Sequence, residues 1–325
     1  MRILKSVAFE LPVICVGNLV VGGSGKSPTT EYLVDLLRDK RIAILSRGYG
    51  RKTTGFILAD AQSTASMIGD EPLQFYHKFP NVTVAVCEDR ITGIEKLKQD
   101  HDLIILDDAF QHRKVRAGFN ILLFEYDKLL SKQFLLPAGN LREPFSGHRR
   151  SDVLLVTKAP SGLEREMRQL CEKRFSSEGR DRLSFSSLQY QQIVPLFAYA
   201  AEPIPDIDSD TEIVLLTGIA NPDILVAHLS QLTSMISHHN YPDHYQFTEQ
   251  NILKLINDYK RRPSLKKIIL TTEKDAQRLL DDALKELLLN LPVYYLPIKI
   301  VIHAEDKATF DQKILNYVSG TTRNR

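Results

Sequence analysis

The sequence predicts an α/β protein, with a mostly parallel sheet flanked by helices and then a second, smaller α/β unit. Three observations carry that expectation. The first half alternates short apolar runs with amphipathic stretches, the pattern of strands joined by crossover helices. Those runs are apolar throughout, as in strands buried on both faces. The first of them, Leu11-Pro12-Val13-Ile14-Cys15-Val16, leads through a glycine-rich turn into a segment of helical spacing at Tyr32, Leu33, Leu36 and Leu37.

In chain order, strands are expected at 13–16, 42–45, 82–86, 103–106, 120–124 and 153–156, with helices at 29–38, 72–78 and 91–99. The stretch 200–211, rich in Pro, Asp and Ser, marks a boundary. Beyond it, strands are expected at 212–217 and 267–271 and helices at 222–232, 249–260 and 276–289. The run 291–302 reads as extended chain returning beside 193–198 in a two-stranded connection, and 307–317 as a segment packing back on the first unit. The division expected is a core domain at 1–199, a smaller α/β domain at 200–302 and a C-terminal segment at 303–325.

Composition excludes several classes. A hydrophobic fraction of 43% and a charged fraction of 25% are those of a globular protein with a sizeable core, not of a disordered chain. No stretch approaches the length of a membrane-spanning helix, and no signal peptide is evident. A net charge of +2 gives no reason to expect a nucleic-acid partner. Cys15, Cys87 and Cys171 are far apart, which fits a reducing cytoplasm better than a disulfide framework. No obligatory protein partner is evident.

The turn Val20-Val21-Gly22-Gly23-Ser24-Gly25-Lys26-Ser27 is a phosphate-binding loop in its required context, after a strand and before a helix. Glycines let backbone N–H groups curl around phosphate oxygens, and the helix N-terminus adds its positive dipole end. Lys26 is expected to reach the outer phosphates and Ser27 to hold Mg²⁺. Pro28 suits the first helical turn. The common pattern wants glycine where Val20 stands, and the nearest earlier glycine is Gly17. The fold is thus expected to be P-loop NTPase-like, with ATP and Mg²⁺ as cofactors.

Polar clusters follow the strands, on the edge where ligands of open parallel sheets bind. An apolar strand ending in Asp107 and Asp108 has the form of a Walker-B element, whose carboxylate holds Mg²⁺. Phe110-Gln111-His112-Arg113 adds a polar turn on that edge. Arg47, Arg51 and Arg90 lie beyond strand ends and suit an anionic substrate. Asp70 opens a helix, and its spacing leaves two roles open, N-cap or general base. Leu141-Arg142-Glu143-Pro144 supplies another acid–base pair, and Tyr241-Pro242-Asp243-His244-Tyr245 and Thr272-Glu273-Lys274-Asp275 are polar clusters of the second unit.

Together these residues resemble the tetraacyldisaccharide 4′-kinases of the lipid A pathway. The resemblance rests on Val16-Gly17-Asn18 before the loop, Ser46-Arg47-Gly48-Tyr49-Gly50-Arg51, Gly69-Asp70-Glu71-Pro72 and Asp107-Asp108-Ala109-Phe110-Gln111-His112. It continues in Pro137-Ala138-Gly139, Leu141-Arg142-Glu143-Pro144, Thr217-Gly218-Ile219-Ala220-Asn221-Pro222, Pro242-Asp243-His244 and Thr272-Glu273-Lys274-Asp275. It spans nearly the whole chain, and the family's loop also lacks the first glycine. The resemblance implies transfer of the ATP γ-phosphate to the 4′-hydroxyl of a tetraacylated glucosamine disaccharide 1-phosphate. It further implies Asp70 as base with His244 as partner, and Ser27, Asp107 and Glu143 around Mg²⁺. Asp108 and His112 would share the active-site edge, with Arg47, Arg51 and Arg90 toward the charged head. The implied location is peripheral, at the cytoplasmic face of the inner membrane.

Two departures stand out. The family's Asp-His-His is Asp243-His244-Tyr245 here, so only the first histidine carries over. The membrane-facing N-terminal segment of the family is represented by about a dozen residues before the first strand, so another apolar surface is expected to meet the lipid. Two rival readings remain: a regulatory nucleotide switch, and a kinase of a soluble acceptor. The first is weakened by Pro160, which stands where a guanine-reading Asp belongs in Val156-Thr157-Lys158-Ala159-Pro160.

Overall fold

Runs of Val, Ile and Leu without interior polar positions are stable in the middle of a sheet covered on both faces. The computed structural model, which describes residues 6–175, 177–197 and 206–322, places all the expected first-half strands there. The strands are β1 (Val13–Asn18), β2 (Ile42–Ser46), β3 (Ile57–Leu58), β4 (Thr83–Val86), β5 (Leu103–Asp107), β6 (Phe119–Glu125), β7 (Val153–Thr157) and β8 (Leu183–Tyr190). After them come β9 (Val194–Pro195), β10 (Glu212–Thr217), β11 (Ile236–Asn240), β12 (Lys267–Thr272), β13 (Val293–Leu296) and β14 (Ile298–Ile302).

The large sheet has the order β14-β8-β7-β6-β1-β5-β2-β4-β3, parallel except at its two edge pairs. β1 lies in the middle, with Val13 opposite Ile104 of β5 and Ile14 opposite Phe119 of β6. One face carries Val13, Cys15, Leu45 and Leu106 under Ile94, Leu97 and Phe110. The other carries Ile14, Val16, Ile44 and Ile105 under three helices. These are Lys26–Leu36, with Leu33 and Val34; Asp70–Lys78, with Phe75; and Ala304–Thr322, with Phe310, Ile314 and Val318. The last is pinned by the Tyr317 hydroxyl, which accepts from the Val13 N–H (2.9 Å) and donates to the Val13 carbonyl (3.2 Å).

The small sheet has the order β11-β10-β12-β13-β9, parallel but for β9. Its faces are covered by the helices Glu249–Arg261 and Asp223–Ser230. Thr248 caps the first of these in a reciprocal capping box with Asn251. The sheets are linked by adjacent antiparallel strands: β8 pairs with β14 in the large sheet, and β9 with β13 in the small one.

Several expectations change. The boundary at 200 lies outside the described residues. The boundary at 303 comes too late, because the chain is back in the large sheet from Ile298. β9 belongs to the small sheet, although it precedes residue 200. The first helix starts at Lys26, since Gly25 takes the N-cap place. The single helix expected at 276–289 is two, Glu273–Leu279 and Asp282–Leu288, broken before Asp282 by extended Asp281. β8 and β11 were not expected; Ile236-Ser237-His238-His239-Asn240 is a half-buried edge strand with no apolar run to announce it. Cys15, Cys87 and Cys171 are free and buried. Among the described residues no helix is long and apolar enough to cross a membrane.

Candidate active site

Beyond β1 the chain turns through Gly22 (φ 109°) and Gly25 (φ 83°), both in the left-handed region that favours glycine. The turn is stapled from two sides. Asn18 Nδ2 donates to Ser24 Oγ (2.6 Å), and Thr157 Oγ1 at the end of β7 donates to the Ser24 carbonyl (2.8 Å). The helix Lys26–Leu36 then leaves its first N–H groups without intrahelical acceptors, facing outward as an anion site. Val20 and Val21, expected to share in the phosphate cradle, do something else. Val20 bridges to Leu141, and the Val21 N–H donates to the Asn140 carbonyl (2.9 Å), so both anchor the loop laterally. Gly17 serves packing: a Cβ there would lie 2.6 Å from Phe110 Cβ.

The acids divide into two sets. Asp108, in a left-handed conformation (φ 46°), takes two hydrogen bonds from Arg142 (3.0 and 3.3 Å) and faces Lys26 Nζ at 3.7 Å. Burial works against its charge, but Lys26 and Arg142 outweigh it and hold its carboxyl below the ordinary carboxylate value. Asp107 is fully buried; its Oδ2 accepts from Ser46 Oγ (3.2 Å), and its Oδ1 has no partner. Burial, then the negative charges of Glu71 and Asp108, push its carboxyl up. Glu71 Oε1 in turn accepts from Ser27 Oγ (3.2 Å). An orphaned carboxylate oxygen, a second carboxylate and a hydroxyl, with negative charge in excess, fit a divalent cation.

Among the described residues no three His, Cys, Asp or Glu side chains form a metal site on their own. Mg²⁺ needs no such cage, since it is usually held by one or two carboxylates together with substrate phosphates. The carboxylate beside Ser27 is Glu71, not Glu143. Glu143, expected beside the metal, accepts here from Arg150 (2.7 and 3.0 Å) and Gln111 (3.2 Å).

Across the cleft, the carboxyl ends of the small sheet meet the helix Asp70–Lys78. His244, four residues beyond β11 and in a left-handed conformation (φ 58°), places Nδ1 3.1 Å from Asp70 Oδ2. Asp70 Oδ1 accepts from the Glu71 N–H (2.9 Å), and Arg278 Nε lies 3.4 Å from Oδ2. Burial alone would raise the Asp70 carboxyl. The His244 hydrogen bond and the Lys274 and Arg278 charges instead hold it below the ordinary value, so Asp70 is a carboxylate here. Lys274 Nζ stands between Glu71 (3.4 Å), Asp243 (3.6 Å) and His244 Nε2 (3.2 Å). Burial opposes its charge, but Glu71, Asp70 and Asp243 raise its pKa above that of an ordinary lysine. Tyr49 lays its ring against His244, with centroids 4.8 Å apart.

Of the three arginines expected to face an anion, two are partly engaged within the chain, with Arg51 Nε and Nη1 and Arg90 Nε buried and without a hydrogen-bond partner. Arg51 binds Glu88 and the Gly55 carbonyl, and buried Arg90 binds the carbonyls of Cys87 and Glu88. Arg47 is exposed and has no partner among the described residues. His112 keeps a buried, unpartnered Nε2, and burial followed by the nearby Arg90 charge lowers its pKa.

The sequence profile of the family described as tetraacyldisaccharide-1-P 4′-kinase matches residues 1–319. The chain belongs to this family. It is 41% identical to the tetraacyldisaccharide 4′-kinase of Phocaeicola vulgatus, over 99% of this chain and 90% of that one. With the enzyme of that name from Flavobacterium psychrophilum it shares 44%, over 99% and 91%. A crystal structure of LpxK from Aquifex aeolicus in complex with ATP matches with a TM-score of 0.71 at 30% identity, covering 97% of this chain and 91% of that chain. The protein is thus a kinase of lipid A biosynthesis whose acceptor is a tetraacyldisaccharide 1-phosphate, and both rival readings fall away.

Glu71 and Lys274 are the site residues that sequence reasoning missed. Both stood inside quoted motifs, but only the fold shows that one meets Ser27 and the other meets His244.

Proposed function

We propose that this kinase seats ATP on residues 22–27 and passes its γ-phosphate to the 4′-hydroxyl with Asp70 as the general base. The observation that carries the reading is the juxtaposition of consecutive residues. Asp70 is held by His244 from the small sheet, while Glu71 is held by Ser27 of the loop. A proton acceptor and a cation-binding carboxylate therefore leave one helical turn for the two sides of the cleft, the carboxylate of Glu71 toward the loop that would carry the donor. Ser27, Asp107 and Glu71 would hold Mg²⁺, which supplies neutralisation of phosphate charge when bound.

Lys26 shares Asp108 with Arg142 and is positioned to turn toward the outer phosphates. Asp70, already ionised, accepts the proton of the attacking hydroxyl, and His244 orients it through the Nδ1 hydrogen bond. Arg47 is the candidate for the acceptor's charged head. The four acyl chains hold the acceptor in a bilayer, so the reaction belongs at a membrane surface reached from the cytoplasm. Exposed Phe134, Leu135 and Leu136, beside the loop that anchors Val21, support contact with it.

Asp70→Ala should lower kcat by about two to four orders of magnitude. The KM for ATP should barely change, as measured with detergent-dispersed acceptor. Near-normal turnover would remove Asp70 from the chemistry.

A further inference from the structure

The reaction as proposed has no task for Lys274, yet this side chain reaches the cleft and makes contact with three side chains. Its Nζ lies 3.2 Å from His244 Nε2, 3.4 Å from Glu71 Oε1 and 3.6 Å from Asp243 Oδ1. An ammonium has three protons to donate and no lone pair, and it finds three acceptors here. Between Lys274 Nζ and His244 Nε2 only the lysine can donate, so Nε2 must be the unprotonated, accepting nitrogen. In a neutral imidazole the proton then sits on Nδ1, which faces Asp70 Oδ2 at 3.1 Å. Asp243 Oδ2, 3.8 Å from Nε2, is too far to draw a proton to that nitrogen by a hydrogen bond.

We propose that Lys274 is a positioning residue for the Asp70–His244 pair: by capping His244 Nε2 it fixes the Nδ1–H tautomer and the ring orientation that direct a donor at Asp70. The inference rests on the reading of Asp70 as the base. Its consequence is an active site completed only when the small sheet is docked. The Glu273–Leu279 helix, which opens directly after β12, carries Lys274 to the dyad and Arg278 to Asp70 in the same move. Glu71 and Asp243 hold the ammonium from either side, one from each sheet's half of the cleft. A lysine acting only as a clasp between the two halves would leave the imidazole free to choose its tautomer.

The test is nitrogen-15 NMR of the full chain with labelled histidine, the His244 signals being assigned among the nine histidines by their loss in His244→Gln. The expected wild-type pattern is a protonated Nδ1 and an unprotonated Nε2, kept in Lys274→Arg and lost to the Nε2–H form in Lys274→Met. In parallel, Lys274→Met should lower kcat about tenfold to a hundredfold, the usual cost of losing a partner that orients a histidine, with the KM for ATP unchanged. Placed in a His244→Ala background, the same substitution should cost less than about twofold, because a residue acting through His244 has nothing left to act on.

An Nε2–H tautomer in the wild type, an unaltered tautomer in Lys274→Met, or losses that multiply in the double variant would each overturn the proposal. If Lys274→Met does not fold, the wild-type tautomer alone decides. Near-normal turnover of Asp70→Asn would instead overturn the base assignment while leaving the tautomer result standing.

Discussion

Asp70 and Glu71 are adjacent in sequence but face opposite halves of the cleft, one toward His244 and the other toward Ser27. The turn that allows this begins at Gly69, whose φ of 96° few other residues adopt and whose Cβ would lie 3.1 Å from the Tyr49 carbonyl. Asp107 shows the charge imbalance on the Ser27 side: a buried carboxyl pushed up, with one oxygen unpartnered. Glu71→Ala should therefore raise the Mg²⁺ concentration needed for half-maximal activity by about tenfold to a hundredfold, while Glu143→Ala leaves that requirement in place. A Mg²⁺ titration of the two variants checks this, and equal shifts would return Glu143 to the metal. The sequence could place Asp107 at the end of a central strand because the run before it is unmistakable. It named Glu143 for the metal and gave Glu71 no part, since only the fold shows that Glu71 meets Ser27 while Arg150 and Gln111 bind Glu143.

At the scale of elements, the strands of the large sheet were legible because burial on both faces leaves one kind of residue throughout. β11 was not, because an edge strand can be built from Ser237, His238 and His239 when Asp258 and Thr217 satisfy them. The segment just before Asn140 and Leu141, which anchor the phosphate loop laterally, was not legible as a surface. Phe134, Leu135 and Leu136 are 60, 45 and 55% exposed, and Val21 opposite the anchor is 50% exposed. Solvent gains nothing from such a run beside a site whose acceptor carries acyl chains, whereas a bilayer gains its burial. Replacing all three by serine should weaken binding to anionic phospholipid vesicles at least about tenfold. The unfolding midpoint should hold, because none of the three belongs to either core cluster of the large sheet. Sedimentation with vesicles reads the effect, and unchanged binding would place the membrane contact elsewhere.

The whole molecule is two parallel sheets whose carboxyl ends face one cleft, held together by a helix from each. His77 meets Gln277, and Lys78 reaches Glu273 of the small unit and Glu31 of the helix behind the phosphate loop. These pairings join residues up to two hundred positions apart, which no local spacing could reveal. They also make docking sensitive to pH. Burial is the largest influence on Glu31; Lys78 counteracts it only in part and Glu273 adds to it, so the carboxyl is pushed up from 4.5 to about 7. Glu273 is raised as well, again chiefly by burial. Between about pH 4.5 and 7 the folded protein therefore binds protons that the unfolded chain has released. The stability contributed is fully present below about pH 4.5 and lost as pH rises through 7, with an upper bound of about 3 kcal/mol for Glu31. Glu31→Gln keeps one of the two acceptor oxygens that serve Gln74 and Lys78 and removes the titration. Denaturant unfolding at pH 5 and pH 8 should show the variant gaining on the wild type at the higher pH, where the buried charge is present. A difference between variant and wild type that is the same at both pH values would mean that Glu31 is already ionised at pH 5 and that the Lys78 pairing outweighs its burial.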